Sequence, residues 1–251
     1  MARVDLNCDL GESYGRYTLG RDADVLKYVS SCNIACGYHA GDPTVMRNTV
    51  RMAHEAGVSI GAHPGFPDLM GFGRREMKVT PNEAYAYVMY QVGALQAFVH
   101  AEGATLKHVK PHGALYNQCA VDRNLADAVA QAIKDIDPNL VIVGLANGQL
   151  IEAGCAIGMK TANEFFVDRN YTPEGVLVSR TLPTALIEDE SLAIERLKRV
   201  IITGELEAVD GTIIKLKAHT VCVHGDGSKA LEFTSRINRD LAQEGIEITP
   251  V

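Results

Sequence analysis

Short apolar segments alternate along the chain with longer segments that begin on helix-capping residues. The apolar segments have the length of strands, and a loop rich in glycine and histidine follows several of them. The predicted strands cover residues 3–9, 32–38, 58–62, 105–110, 140–145, 161–167 and 219–224.

The segments between these strands have clear helix boundaries. Asp42-Pro43 predicts an N-cap followed by proline in the first helical turn, and the helix ends near Gly57. The run 80–83, Thr-Pro-Asn-Glu, is a capping box whose helix ends near Gly103. Further helices are predicted from Asp122 and over residues 190–203 and 228–243.

Regular alternation of strands and helices predicts a parallel sheet with right-handed crossovers, which is an α/β fold. Seven such strands can form a doubly wound sheet or a closed barrel. Polar residues follow nearly every strand, and barrels build their sites from all of the loops that follow strands. We therefore predict a single-domain, seven-stranded, TIM-like β/α barrel over residues 1–251.

Composition narrows the class of protein. The net charge of −7 argues against nucleic acid or an anionic membrane as the main partner. No apolar stretch has the length of a membrane span, and residues 1–9 lack the apolar core of a signal peptide. The six cysteines are scattered through apolar segments, as expected for buried thiols in a reducing compartment. These features predict a cytoplasmic protein.

The first strand places several polar side chains on one face. Asp5, Asn7 and Asp9 are two residues apart and point the same way, and Glu12 follows. Buried polar groups are costly unless they serve a ligand, a metal or one another. A solvated strand end with an Asx turn is the alternative.

Histidines follow the next two strands. His39 precedes the Asp42 helix cap, and His63 opens a long loop with several glycines and prolines that suggests a lid or binding loop. In that loop, Arg74 and Arg75 could hold an anion, although an exposed basic pair is commonly only a solvated surface.

The fourth strand carries the sharpest local pattern. Alternation places His108, Lys110 and His112 on one face. A lysine among histidines in a water-poor pocket is a candidate proton-transfer group or anion holder. Alternatively, Lys110 pairs with a carboxylate such as Asp9 and supports the barrel.

Two later loops add candidates. Glu164, Asp168 and Arg169 lie at the end of the sixth strand, and the run 224–229 after the last strand offers small residues at a helix N-terminus, which suits a phosphate. The sequence contains no G-x-x-x-x-G-K-[ST] loop and no H-E-x-x-H spacing that would declare a nucleotide or metal site.

Several of these blocks resemble the LamB/YcsF family. The resemblance extends from the first strand to the last helix, and the blocks are long enough to be specific. They are DLNCDLGE (5–12), CNIACGYHAGD (32–42), AHPGF (62–66), VKPHGALYN (109–117), DRNY (168–171) and VHGD (223–226).

The resemblance implies the A-type subunit of a prokaryotic ATP-dependent 5-oxoprolinase, a hydrolase that cleaves a cyclic amide. It implies a barrel similar to the glycoside hydrolase/deacetylase superfamily, ATP as cosubstrate and two partner subunits, of B and C type. A divalent metal, Mg²⁺ with the ATP, is left open, as is the subunit that binds the nucleotide.

We hypothesise roles for individual residues on this basis. The catalytic candidates are Asp9, His39, His63, Lys110 and His112. The substrate-binding candidates are Asn7, Glu12, Asn117, Glu164, Arg169 and His224. The phosphate-binding candidates are Gly225, Gly227 and Ser228. Two alternatives stay open: a metal-dependent deacetylase or amidohydrolase acting without ATP, and a non-catalytic lactam-binding subunit.

Overall fold

Seven parallel strands close into a barrel in the order in which they occur along the chain. The computed structural model describes residues 2–223 and 230–251. The strands are β1 (Arg3–Leu10), β2 (Ser31–Ala35), β3 (Ser59–His63), β4 (Leu106–Val109), β5 (Val141–Leu145), β6 (Lys160–Phe166), β7 (Glu205–Glu207), β8 (Ile213–Lys215), β9 (Thr220–Cys222) and β10 (Glu247–Ile248). Strands β1 to β6 and β9 form the barrel, and β9 closes it by pairing with both β6 and β1.

The helices lie between the strands and begin where their capping residues predict. They are α1 (Asp22–Val25), α2 (Pro43–Glu55), α3 (Pro81–Ala101), α4 (Gly113–Val121), α5 (Arg123–Ile136), α6 (Gln149–Ala156), α7 (Glu190–Thr203) and α8 (Ala230–Gln243), with a 3₁₀ turn at Leu69–Gly71. Asp42 accepts hydrogen bonds from the backbone N–H groups of Thr44 and Val45, and Thr80 and Glu83 form the reciprocal capping box.

The predicted seven-stranded barrel is confirmed, with strand bounds that differ by a few residues. The pairing of β1 with β9 excludes a doubly wound sheet, because that sheet would leave both strands at open edges. The prediction missed α4, α6, the antiparallel pair β7–β8 and the short β10. Helix α4 follows β4 after only a few residues, so its start is hidden in the run of polar loop residues around His112.

The barrel separates an apolar layer from a polar interior. Outward-facing residues of β1, such as Leu6 and Cys8, are fully buried in the apolar core. The alternate residues Asp5, Asn7 and Asp9 face the barrel interior, where their partners are side chains of other barrel strands and loops. The expectation that these three residues share one face is confirmed.

Most of these interior groups satisfy one another. Asp5 accepts hydrogen bonds from Ser30, Ser31 and Thr220, and burial nevertheless raises the pKa of its carboxyl above the usual value. Asn7 donates to Glu164 and Thr220 through its amide nitrogen. Such a network fixes the relative positions of the strands on which the site above it depends.

Two further expectations can be compared with the structure. Cys8, Cys32, Cys36, Cys119 and Cys222 are buried free thiols, whereas Cys155 is exposed. Among the helices that the structure describes, none combines the length and apolar character needed to cross a bilayer.

Candidate active site

A cavity of about 460 Å³ opens at the carboxyl ends of the barrel strands. Acidic and histidine side chains form one part of its wall, and arginines form another. The wall includes Asp9, Glu12, His63, Lys110, His112, Tyr116, Asn117, Phe166, Arg74, Arg169 and Arg180. A polar, enclosed site at this end of the strands is where α/β barrels carry their chemistry.

Asp9, His63 and His112 form a connected row in the wall. His63 Nε2 lies 3.2 Å from Asp9 Oδ2 and 3.0 Å from His112 Nδ1. Burial alone would raise the pKa of Asp9, but the neighbouring His63 and Lys110 hold that pKa well below its usual value. Asp9 is therefore a carboxylate at neutral pH.

Backbone carbonyl groups fix the orientation of both histidine rings. His63 Nδ1 donates to the carbonyl oxygen of Lys110 at 2.7 Å, and His112 Nε2 donates to that of Phe72 at 2.8 Å. Since these nitrogens carry the protons, His63 Nε2 and His112 Nδ1 are left to face one another with their lone pairs. This contact requires a positive centre between the two rings.

His39 lies behind His112 and completes the cluster. Its ring stacks on that of His112, with centroids 3.6 Å apart and an interplanar angle of 3°. His39 is fully buried, neither ring nitrogen has a hydrogen-bond partner among the described residues, and its Nε2 is 3.4 Å from Glu12 Oε1. Burial and the neighbouring His112 lower the pKa of His39 well below its usual value, so it is neutral.

Glu12, His39, His63 and His112 could together hold a metal ion. Each offers a ligand atom, and these atoms all lie within 4.8 Å of one another. Imidazole and carboxylate groups are the usual ligands of divalent transition metals.

The loop after β3 holds the histidines in place through an unusual backbone conformation. Phe72 has φ of 54°, which is uncommon for a bulky residue, and this conformation directs its carbonyl group to His112. A side chain on Gly73 would lie 2.6 Å from Cβ of His39 and 2.9 Å from the His112 ring. Glycine therefore lets the loop pack directly on the two rings.

Lys110 is buried and has several partners. Its Nζ lies 2.8 Å from Glu164 Oε1, 3.0 Å from Asp9 Oδ1 and 3.2 Å from Asn7 Oδ1. Burial alone would lower the pKa of Lys110, but Asp9 and Glu164 hold that pKa well above its usual value. Its three donors are thus engaged within the protein, which favours the supporting role that the sequence left as an alternative.

Arginines supply positive charge to the cavity. Arg169 is buried and donates to the carbonyl groups of Ala185 and Val178, and burial together with Arg180 lowers its pKa to about 10. Arg74 lies over the ring of Phe72, 5.0 Å from its centroid. Arg75, by contrast, bonds to Asp68, so it is committed to the loop.

The structure brings together most of the predicted site residues. Asp9, Glu12, His63, Lys110, His112, Asn117 and Arg169 line the cavity. His39 packs behind this wall, and Asn7 and Glu164 bond to Lys110 in the barrel interior. His224, Gly225, Gly227 and Ser228 lie outside the described residues.

Sequence reasoning missed three residues at the site. Tyr116 and Arg180 line the cavity, and Phe72 orients His112 through its backbone. Tyr116 lies within the block 109–117, which gave a signal, but a carbonyl group that acts through a left-handed conformation leaves none in a single sequence.

Comparison with known proteins gives consistent matches along the chain. The profile of the LamB/YcsF family matches residues 4–251. The A-type subunit of 5-oxoprolinase from Bacillus subtilis (strain 168) is 53% identical over 251 residues, covering 100% of this chain and 98% of that protein. The corresponding 5-oxoprolinase chain of Pyrococcus abyssi is 53% identical over 249 residues, covering 99% and 98% respectively.

A solved structure agrees with these matches. The crystal structure of the lactam utilization protein from Thermus thermophilus superposes with a TM-score of 0.93 at 44% sequence identity. The superposition covers 99% of this chain and 100% of that chain.

Proposed function

Since the chain belongs to the LamB/YcsF family, we propose that it is the lactam-opening subunit of an ATP-dependent 5-oxoprolinase. The reaction converts 5-oxo-L-proline to L-glutamate and hydrolyses ATP to ADP and phosphate. The observation that carries the proposal is the enclosed cavity with carboxylate and histidine groups on one part of its wall and arginines on another. Such a wall can activate water and hold an anionic substrate in the same space.

The chemistry explains why ATP is needed. A five-membered lactam is an unreactive amide, and its opening to glutamate is uphill near neutral pH. Phosphorylation of the lactam oxygen, followed by attack of water and loss of phosphate, supplies the driving force. We assign the attack of water to this chain, with Asp9 or His112 as the base and His39 and His63 as positioning groups.

The charges in the cavity suggest how the substrate is held. Its carboxylate would meet Arg169 and Arg180, which line the side of the cavity formed by the loop after β6. Because the donors of Lys110 are engaged by Glu164, Asp9 and Asn7, we assign stabilisation of developing negative charge to Arg74 as well as to Lys110.

The proposal includes partners and a cosubstrate. The relatives are named as one lettered subunit of 5-oxoprolinase, which implies an assembly of several chains, and we propose two partners, of B and C type. ATP, accompanied by Mg²⁺, would be a cosubstrate of that assembly. The sequence has no P-loop, so the site of ATP in the assembly is a separate question.

The test measures glutamate released from 5-oxoproline with ATP, for the chain alone and for the complex with its co-purified partners. We expect turnover in the complex that stops when ATP is omitted or when His112→Ala is introduced. His100→Ala, an exposed histidine on α3, serves as the control that keeps turnover. No turnover in an intact complex would overturn the proposal.

The alternatives predict different outcomes in the same assay. A metal-dependent amidohydrolase, which the Glu12–histidine cluster favours, would open an amide without ATP and without partners. A non-catalytic lactam-binding subunit would lose lactam binding in the His112→Ala variant rather than only turnover.

A further inference from the structure

Two imidazole nitrogens face each other at 3.0 Å although neither is free to supply a proton in its neutral form. His63 and His112 have each placed their single N–H on a backbone carbonyl oxygen, at 2.7 and 2.8 Å. The nitrogens that remain, His63 Nε2 and His112 Nδ1, are both acceptors. Asp9 Oδ2, a third acceptor, lies 3.2 Å from His63 Nε2.

We propose that these three groups, with Glu12 as a fourth, bind a divalent first-row transition-metal ion between β1, β3 and the start of α4. The inference adds a metal to the site of the proposed function and rests on that function for its catalytic meaning. When bound, such an ion supplies Lewis-acid polarisation.

The distances fit this assignment. Ligand atoms about 2.1 Å from an ion lie about 3.0 Å apart at right angles and about 3.4 Å apart in a tetrahedron. The separations here are 3.0 Å between the two histidine nitrogens and 3.2 Å from His63 to Asp9. Glu12 Oε1 is 3.9 Å from His112 Nδ1, so it closes the set after a small rotation.

Ring orientation decides which histidines bind. The rings of His63 and His112 are nearly perpendicular, at 87°, so lone pairs in the two ring planes can meet at one point. The rings of His39 and His112 are parallel and 3.6 Å apart, so their in-plane lone pairs cannot converge. His39 is therefore a positioning residue behind His112 and near Glu12.

The outer contacts are also those of a metal centre. Histidine ligands commonly donate their second N–H to a backbone carbonyl group, which fixes the tautomer and the ring. Both ring nitrogens that point away from the proposed ion do so here. Asp9 Oδ1 is held by Lys110, which leaves Oδ2 directed at the histidines.

A shared proton is the competing explanation. It would make one ring an imidazolium beside Asp9 and would satisfy the same three acceptors without any metal. Geometry around the two nitrogens is similar in both cases, so the distinction requires a direct measurement of metal binding.

The experiment uses the full-length chain without an affinity tag, stripped with a chelator and titrated with Co²⁺ in the absence of substrate. We expect one Co²⁺ per chain with visible d–d absorption, and displacement by Zn²⁺ followed by elemental analysis. Since loss of a mere supporting contact weakens metal affinity about 10–100-fold, His63→Gln and His112→Gln should each weaken Co²⁺ binding by more than about 100-fold.

Controls separate binding from folding and from turnover. His54→Gln, an exposed histidine on α2, should keep wild-type affinity, and Glu12→Gln provides a second variant at the partly buried edge of the site. Near-UV circular dichroism identifies any variant that has not folded. Absence of a d–d band in the wild-type chain, or wild-type affinity in folded His112→Gln, would overturn the inference. A metal-binding chain whose complex releases no glutamate would instead refute only the proposed function.

Discussion

Replacing Lys110 with methionine should destabilise the fold more than any surface change on the same strand. The Lys110 side chain is 2% exposed and lies 2.8 Å from Glu164, which is 0% exposed. Removing one partner of a buried ion pair costs about 3–5 kcal/mol, because the other charge stays buried without compensation. Methionine retains most of the lysine volume, so little of the loss comes from a cavity.

The magnitude can be converted to a melting temperature. For a chain of this size, 1 kcal/mol corresponds to roughly 2–4 °C, so Lys110→Met should lower Tm by roughly 6–20 °C. Lys107→Met is the matched control, since Lys107 lies on the same strand with an exposed side chain and should change stability by about 0.5 kcal/mol or less.

A second substitution tests the cause. In the Lys110→Met background, Glu164→Gln removes the uncompensated charge while an amide oxygen can still accept from Asn7. The double variant should therefore be more stable than the sum of the two single losses predicts, by about 1 kcal/mol or more. Urea unfolding followed by circular dichroism at pH 7 measures all four proteins. Additive losses, or a Lys110→Met loss no larger than that of Lys107→Met, would refute the assignment of Lys110 to a buried ion pair.

Three further predictions follow from the barrel interior and the loop above it. Burial lowers the pKa of His108 to about 3, so only the unfolded chain takes up its proton near pH 6.5. The free energy of unfolding should then fall as pH drops from about 6.5 towards 3, and His108→Gln should reduce this slope by up to about 1.4 kcal/mol per pH unit in urea titrations; an unchanged slope would contradict the burial of a neutral ring. A methyl group on Gly61 would fall within the His108 ring, so Gly61→Ala should cost about 1–3 kcal/mol in urea unfolding, whereas Gly93→Ala, which has open space in α3, should not destabilise the chain. Gly73→Ala should lower glutamate formation by the complex because its methyl group would push on His39 and His112; Gly158→Ala also has a positive φ but lies in open space, and an equal effect there would show that strain alone is responsible.

The sequence predicts the architecture well because the relevant signals are local. Helix caps such as Asp42 and the Thr80–Glu83 box act within a single turn, and each is found where its residues place it. The strands are short apolar runs bounded by loops, and parallel connection follows from their alternation with helices. The β7–β8 pair escaped prediction because its three-residue strands are too short to show a period.

The site was predicted as a set of residues but not as a set of contacts. Position at the end of a strand is enough to bring Asp9, His63 and His112 to the same rim, whatever the side chains are. Their partners depend on closure of the barrel: Lys110 and Glu164 lie on strands that only the complete fold brings together. No local pattern in either strand encodes that pair.

The polar residues of β1 illustrate where this limit falls. Three polar groups on one face of a buried strand must serve a ligand, a metal or one another, and the sequence cannot choose among these. The structure divides them by depth. Asp5 and Asn7, deeper in the barrel, are satisfied by protein groups, whereas Asp9 reaches the cavity and shares its two oxygens between Lys110 and His63. The same strand thus stabilises the barrel at one end and supplies the reactive wall at the other, which is why a substitution at Asp5 should act on stability and one at Asp9 on metal binding and turnover.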